Sequence, residues 1–313
     1  MTRAVSFLLP TLDLPELLEK NLPPLLDILE ARDVGDEVVV IDDTGTSNVA
    51  RFVRERFPAC RAIARERNGG FARAVTSGVE AAINELVFSM NTDVRVHPGF
   101  LEPLIETISR EEVGAVTPRV RLDGEEGDLE SVTQMSLERG LARFLQPNLE
   151  SSLETPVEFT DRPIPVGFAV GGTLLMEKAT FLEVGGFDPV YEPFYWEDID
   201  LSWKLWKRGF QVLMDPRSVV DHMHQSTIGS VVPRELIRCM QRKNRYAFTW
   251  RHLSNDELRE SLPLLANRIV DASLQRSREE LVGLCYALED LEAILAGRRE
   301  GPGFAELAER LAD

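Results

Sequence analysis

Two apolar runs, Ala4-Val5-Ser6-Phe7-Leu8-Leu9 and Glu37-Val38-Val39-Val40-Ile41, flank a segment from Leu14 to Leu29 whose apolar residues return at helical spacing. Runs without polar alternation are buried on both faces, as parallel strands are, so the pattern predicts a β-α-β unit. The sequence then predicts a helix over Val49 to Phe57, a short strand at Arg61 to Ala64, a helix over Ala72 to Ala82 and a strand at Leu86 to Met90. That alternation is the signature of an α/β fold on a doubly wound, mostly parallel sheet. Each apolar strand ends in a polar cluster: Pro10-Thr11, then Asp42-Asp43-Thr44-Gly45-Thr46, then Asn91-Thr92-Asp93. Open α/β sheets bind ligands at the carboxyl ends of strands, so these clusters mark one edge as the site.

From Asp123 to Asp161 the pattern weakens into acidic, Gly-containing sequence, read as a surface excursion. Order returns at Val166 to Met176 and runs on through an acidic helix to strands at Gln211 to Met214 and Val219-Val220-Asp221-His222-Met223-His224. Beyond Pro233 the periodicity is helical only, with Pro233 to Trp250 rich in arginine and aromatics and Leu258 to Leu295 strongly periodic. The expected division is a catalytic α/β region over residues 1–230 and a C-terminal helical extension over 231–313.

The acidic helix carries the densest chemistry. After the turn Gly185-Gly186-Phe187-Asp188, the stretch Phe194-Tyr195-Trp196-Glu197-Asp198-Ile199-Asp200-Leu201 packs three carboxylates into a helix opening. Ile199, Trp203, Trp206 and Phe210 keep helical spacing, and Lys204, Lys207 and Arg208 fill the last turn before Gly209. The positive end of the helix dipole lowers the cost of keeping Glu197, Asp198 and Asp200 ionised together, which suits one of them to act as a base. Capping and dipole compensation are the plainer alternative. Asp93 at a strand end suits a hard divalent cation that also holds phosphate oxygens, and His222 after a second strand is a plausible further ligand, preferred over His224.

Composition narrows the field. A formal charge of -17 argues against a broad basic face for nucleic acid or anionic lipid. Cys60, Cys239 and Cys285 are far apart and lack metal-ligand spacing, so they read as free thiols of a reducing compartment. No secretory signal or membrane span is visible, since the run from Ala4 to Leu9 ends at Pro10. The expected location is the cytoplasm, or the inner face of the plasma membrane. Against the acidic background, Arg234, Arg238, Arg242, Lys243, Arg245 and Arg251 cluster with Tyr246, Phe248 and Trp250. Two explanations are open: a helix whose arginines pair with acids of the catalytic domain, or a peripheral membrane contact through residues 234–251.

These pieces together resemble the inverting glycosyltransferases of family 2, with the GT-A fold, and especially their bacterial rhamnosyltransferase-like and galactofuranosyltransferase-like members. The resemblance spans Ala4 to roughly Gly229. It rests on Val39-Val40-Ile41-Asp42-Asp43, on Asn68-Gly69-Gly70-Phe71-Ala72-Arg73-Ala74, and on Asn91-Thr92-Asp93-Val94 in place of a D-x-D motif. It continues through Gly171-Gly172-Thr173-Leu174-Leu175-Met176, Gly185-Gly186-Phe187-Asp188 and Trp196-Glu197-Asp198-Ile199-Asp200-Leu201. The resemblance implies that Asp93 holds Mg²⁺ or Mn²⁺ with Asn91 nearby and His222 as a further ligand. It implies that Thr11, Asp42 and Asp43 contact the nucleoside, that Arg67 or Arg73 faces the diphosphate, and that Asp198, with Glu197 as second choice, takes the acceptor proton. Asn91 replaces the first acid of D-x-D, Thr44 stands where Gly is usual, and Thr76 replaces a common Asn.

The implied partners are a nucleotide-sugar donor, UDP- or dTDP-linked, and a glycan or lipid-linked acceptor in cell-surface polysaccharide synthesis, with no nucleic acid. Rhamnose, galactofuranose and glucose donors all fit. A cation on the departing diphosphate removes the need for a proton donor, so one base suffices, unlike the paired carboxyls of glycoside hydrolysis. Attack from the opposite face predicts inversion. The competing readings are a sugar nucleotidyltransferase, which would want a Gly-rich basic loop where Pro10-Thr11-Leu12-Asp13-Leu14 stands, and a catalytically silent binding homologue.

Overall fold

The computed structural model describes residues 3–12, 15–122, 130–145, 160–223, 232–299 and 301–307. Its first half follows the expected alternation: β1 (Val5–Thr11), α1 (Pro15–Arg32), β2 (Glu37–Asp42), α2 (Asn48–Arg56), β3 (Arg61–Ala64), α3 (Gly70–Ala81) and β4 (Leu86–Met90). There follow β5 (Val94–Val96), α4 (Leu101–Ile108), β6 (Val113–Leu122), a hairpin of β7 (Gln134–Glu138) and β8 (Leu141–Leu145), and β9 (Ile164–Pro165). Then come β10 (Thr173–Glu177), α5 (Lys178–Glu183), a 3₁₀ turn at Pro189–Tyr191, α6 (Glu197–Lys207) and β11 (Gln211–His222). The helices α7 (Arg234–His252), α8 (Asn255–Leu274), α9 (Arg278–Glu289) and α10 (Leu291–Ala296) complete the described chain, with a short helical turn after them.

The strands form one mixed sheet in the order β3-β2-β1-β4-β10-β6-β11-β5, with β9 also on β11. Pairing is parallel from β3 to β4 and between β6 and β11, and antiparallel where β10, β5 and β9 join. Side chains alternate across this sheet into two apolar layers. Val5, Phe7 and Leu9 of β1 pack with Leu18, Leu22 and Phe100 on one face, whereas Leu8 packs with Val75 and Val79 of α3 on the other. The second layer also takes in Trp203 of α6, Tyr246 and Phe248 of α7, Ala287 of α9 and Ile294 of α10, so the C-terminal helices share the core of the catalytic sheet.

Three sequence expectations change in detail. The two strands expected over residues 211–224 are a single strand with an irregular register between Asp215 and Val219, where buried Asp215 holds Arg217 and Thr107. The helical run from Leu258 to Leu295 is split among α8, α9 and α10, with Arg276 at φ 55° marking the first break. The excursion after Asp123 contains a hairpin, turned at Arg139 and Gly140, both with positive φ, as a two-residue turn requires.

Candidate active site

Strand register builds the first cluster. Asp93 is the third residue beyond the end of β4, and β5 begins at the next residue. The last strand, β11, runs antiparallel to β5 with His222 opposite Val94, and the Met223 N–H donates to the Asp93 carbonyl. His222 Nε2 is consequently 3.2 Å from Asp93 Oδ1, and its Nδ1 is 2.6 Å from Glu130 Oε2. Burial works against a charged imidazole, but its bonds to Asp93 and Glu130 outweigh this and push His222 up to about 10. Alternation along β11 turns Asp221 to the other face, where it pairs with Arg121 and His97. His224 lies outside the described residues.

This donor set fits a divalent cation. A carboxylate oxygen and an imidazole nitrogen converge, and a second carboxylate backs the other ring nitrogen, the usual arrangement around a metal-bound histidine. Among the described residues no group of three or more His, Cys, Asp or Glu is arranged to hold a metal by itself. Glu130 binds the far side of the ring, so the protein would offer Asp93 and His222 and leave other positions to a ligand's oxygens.

The nucleotide-side residues divide. Thr11 pairs with Asp42 in register, and its carbonyl accepts the Asp43 N–H. Asp42 is 0% exposed: Oδ1 accepts from the Thr44 N–H and hydroxyl, and Oδ2 from the Ala50 N–H. It anchors a turn and the start of α2. Asp43 instead gathers the next motif, accepting from the Gly69 and Gly70 N–H groups and forming an ion pair with Arg65, whose Nε is 2.8 Å away. A Cβ on Gly69 would lie 2.5 Å from the Arg65 guanidinium, and one on Gly70, at φ 78°, would lie 2.6 Å from the Pro193 carbonyl. The double glycine therefore lets the Asp43 loop touch the segment that carries the acids. Arg67 is exposed, and Arg73 pairs with Glu192 across the same junction.

Asn91 donates its N–H to the Gly172 carbonyl, and a Cβ on Gly172 would fall 2.5 Å from the Asn91 amide nitrogen. One residue earlier, the Gly171 N–H donates to Asp198 Oδ2 at 3.0 Å, with room for no more than a hydrogen at Gly171 without crowding the Asp198 Cβ. Gly171-Gly172 thus bridges the strand end that carries Asn91 and Asp93 to the acidic helix.

The three acids have three fates. Asp200 is wholly buried and accepts from Tyr191 Oη, His252 Nε2 and Lys204 Nζ, which hold its carboxyl well below the usual range despite burial. It is a structural anchor. Glu197 is buried and its Oε2 has no hydrogen-bond partner; burial, aided by the charge of Asp198, pushes it up to about 8. Burial thus opposes the helix dipole at Glu197, where the sequence predicts three acids ionised together. Asp198 is only partly buried; burial raises it and the Gly171 and Ile199 N–H groups restrain the rise. Glu130 adds to that rise, so Asp198 lies within electrostatic reach of the Asp93–His222 cluster.

The basic segment after residue 233 is packed and paired, mostly with acids of the C-terminal helices themselves, with Arg251 reaching an acid of residues 1–230. Tyr246, Phe248 and Trp250 are core, Arg238 and Arg242 pair with Glu279 and Glu280, Arg245 donates to the Ala142 carbonyl, and Arg251 pairs with Asp188. Its aromatics are thus not available to a bilayer, and no described helix is long and apolar enough to cross one. Sequence reasoning missed two residues of the site. Arg65 could have been found from parity, since Ala64 lies level with Asp42 in β3 and β2. Glu130 had no signal within its acidic surroundings.

A mixed sheet with acids and a histidine gathered at the strand ends, and a carboxylate delivered by an adjoining helix, defines an enzyme of the GT-A architecture. The family model described as glycosyl transferase family 2 matches residues 6–182, more than half of the chain, and the protein belongs to that family and is a glycosyltransferase. It is similar to the N-acetylglucosaminyl-diphospho-decaprenol L-rhamnosyltransferase of Mycobacterium tuberculosis, at 29% identity over 79% of this chain and 87% of that protein. Its fold is similar to that of GalNAc-T7, solved with UDP, GalNAc and Mn²⁺, at a TM-score of 0.62 and 17% identity over 81% of this chain and 48% of that one. It is also similar to a mannosyltransferase of Pyrobaculum calidifontis in complex with GDP-Man and Mn²⁺, at a TM-score of 0.55 and 16% identity over 100% of this chain and 80% of that one.

Proposed function

We propose that this enzyme is a metal-dependent, inverting transferase that moves a sugar from a UDP- or dTDP-linked donor to a hydroxyl of a glycan or lipid-linked acceptor. The mycobacterial relative, named for rhamnosyl transfer to a diphosphate-linked polyprenol, supports a deoxyhexosyl donor and a lipid-linked acceptor met at a membrane face. One observation carries the mechanism: Asp198, partly exposed and with its carboxyl raised by burial, is tied through Gly171-Gly172 to the strand end that presents Asp93 beside His222. Asp93 and His222 would hold Mg²⁺ or Mn²⁺, which supplies charge neutralisation for the leaving diphosphate.

The chain's own residues do the rest. Asp43, fixed by Arg65 and the Gly69 and Gly70 amides, shapes the donor side together with Thr11. Asp198 accepts the acceptor hydroxyl's proton as that oxygen attacks the anomeric carbon, and the Gly171 N–H keeps its carboxylate turned toward the cluster. Glu197, raised by burial and by the charge of Asp198, favours a single negative charge on the pair.

Thermal-shift measurements with UDP- and dTDP-linked glucose, galactofuranose and rhamnose in Mn²⁺ test the donor, because a ligand bound only by the folded state raises apparent stability. With the best donor, Asp198→Asn should keep binding and lose transfer by roughly 10²-fold or more. Product with retained anomeric configuration, or near-normal turnover by the variant, refutes the mechanism.

A further inference from the structure

The segment that delivers Asp198 is held from outside. Between the 3₁₀ turn and α6, Tyr195 and Trp196 stand consecutively in the left-handed region, at φ 70° and 78°, which is unfavourable for large side chains. The residue at the helix N-cap, Trp196, makes no side-chain capping bond. Side chains of α7 oppose the relaxation of this turn, Asn244 most directly. Asn244, 0% exposed, aims its Nδ2 at three carbonyls: Tyr191 at 2.8 Å, Phe194 at 3.0 Å and Tyr195 at 2.9 Å. An amide has two hydrogens, so one is shared between two of these oxygens. The last carbonyl belongs to the peptide just before Trp196, two residues ahead of Glu197 and three ahead of Asp198.

Neighbouring residues of α7 bind the same segment. Lys243 donates to the Val190 carbonyl and pairs with Asp290 of the α9–α10 junction, Arg251 pairs with Asp188, and His252 donates to Asp200. Above the turn, the Trp196 ring packs against Phe144 of the hairpin and Phe248 of α7, with centroids 4.9 and 5.4 Å apart. None of these contacts touches Asp43, Asp93 or His222. The α7 helix therefore addresses the acid side of the site and leaves the strand-end side alone.

We propose that Asn244 is a positioning residue for the transfer reaction, fixing the left-handed turn that aims Asp198, so that the helices after residue 231 are part of the catalytic device. The proposal rests on Asp198 being the base. Its core is the pairing of one fully buried amide with three carbonyls of a turn whose conformation the turn's own residues disfavour.

The test is a double-mutant cycle with Asp198→Asn, read in transfer from the donor chosen by thermal shift and in binding of UDP or dTDP with Mn²⁺. Asn244→Leu keeps the volume and removes the donors; Asn244→Ser leaves a smaller donor and room for water should the first variant fold poorly. Either is expected to lower kcat by about 30- to 100-fold with nucleotide affinity within about twofold of the parent. In the Asp198→Asn background the same change should add little, because a base already removed cannot be mis-aimed. Full additivity, or a kcat loss matched by a loss of nucleotide affinity, overturns the proposal and makes Asn244 a general packing residue. If Asp198→Asn itself retains turnover, the base assignment has failed, which is a distinct result from an additive cycle.

Discussion

The two sides of the site are assembled by different means. On the nucleotide side, Thr11, Asp43 and Asp93 stand at or just beyond the ends of neighbouring strands, and His222 joins them because β11 pairs with β5 in one register. Their placement follows from backbone ladders in a sheet buried on both faces, where slipping by one residue would send each side chain into the opposite apolar layer. On the acid side, Asp198 stands on a turn with two left-handed aromatic residues, fixed by Asn244, Lys243, Arg251 and His252 from some 50 residues further along the chain. On the proposed assignment, the donor and cation positions follow from the sheet edge with little outside help, whereas the placement of the proposed base depends on long-range packing.

The contrast breaks first at Asp93. Asp93→Ala should abolish Mn²⁺-dependent nucleotide binding, by two orders of magnitude or more, and His222→Ala should weaken it less, both read by calorimetry with UDP or dTDP. Neither should disturb the Asn244 turn, so the fold around α6 and α7 should keep its hydrogen-exchange protection. Equal nucleotide affinity of the parent with and without Mn²⁺ would remove the cation from the account. Glu130→Gln should have a smaller effect, weakening Mn²⁺ binding by about 10- to 100-fold, the range typical of a carboxylate that orients a ligating histidine. Unchanged Mn²⁺ affinity, measured by electron paramagnetic resonance, would reduce Glu130 to a bystander.

Legibility in the sequence follows the same line. The strands at Arg61–Ala64 and Leu86–Met90 are where periodicity predicts them, and the position of Asp93 beyond the second follows from that, because both depend on local pattern. Strand alternation puts His222 beside Asp93 and Asp221 on the opposite face of β11, whereas the preference for His222 over His224 had no such support, and His224 lies outside the described residues. Asp42 and Asp43 were not separable, since both follow the same apolar run; what divides them is that Asp42 curls back to Ala50 while Asp43 reaches forward to Gly69. Asn244 and His252 looked like members of a basic helix, and no local pattern says that their partners are Tyr195 and Asp200. The hairpin Gln134–Leu145 was readable in principle, from the Arg139-Gly140 turn between strands with Met135, Leu141 and Ala142 buried.

The smallest expected effect on turnover separates the two adjacent acids. Glu197 and Asp198 are neighbours in sequence, but one is buried with an unpartnered oxygen and the other is partly exposed and bonded to Gly171. Burial and the Asp198 charge hold the Glu197 carboxyl at about 8, against an ordinary 4.5. The unfolded chain gives up that proton first, so the group's contribution to stability is complete below pH 4.5 and is lost as pH rises toward about 8. Glutamine mimics the neutral form that the folded protein keeps at pH 7. Glu197→Gln should therefore retain turnover within about threefold, and urea unfolding should show less loss of stability between pH 5 and 8 than in the parent. Were Glu197→Gln as damaging to transfer as Asp198→Asn, with nucleotide binding intact, the proton would have to go to Glu197 instead, and the turn fixed by Asn244 would be aiming the other carboxylate.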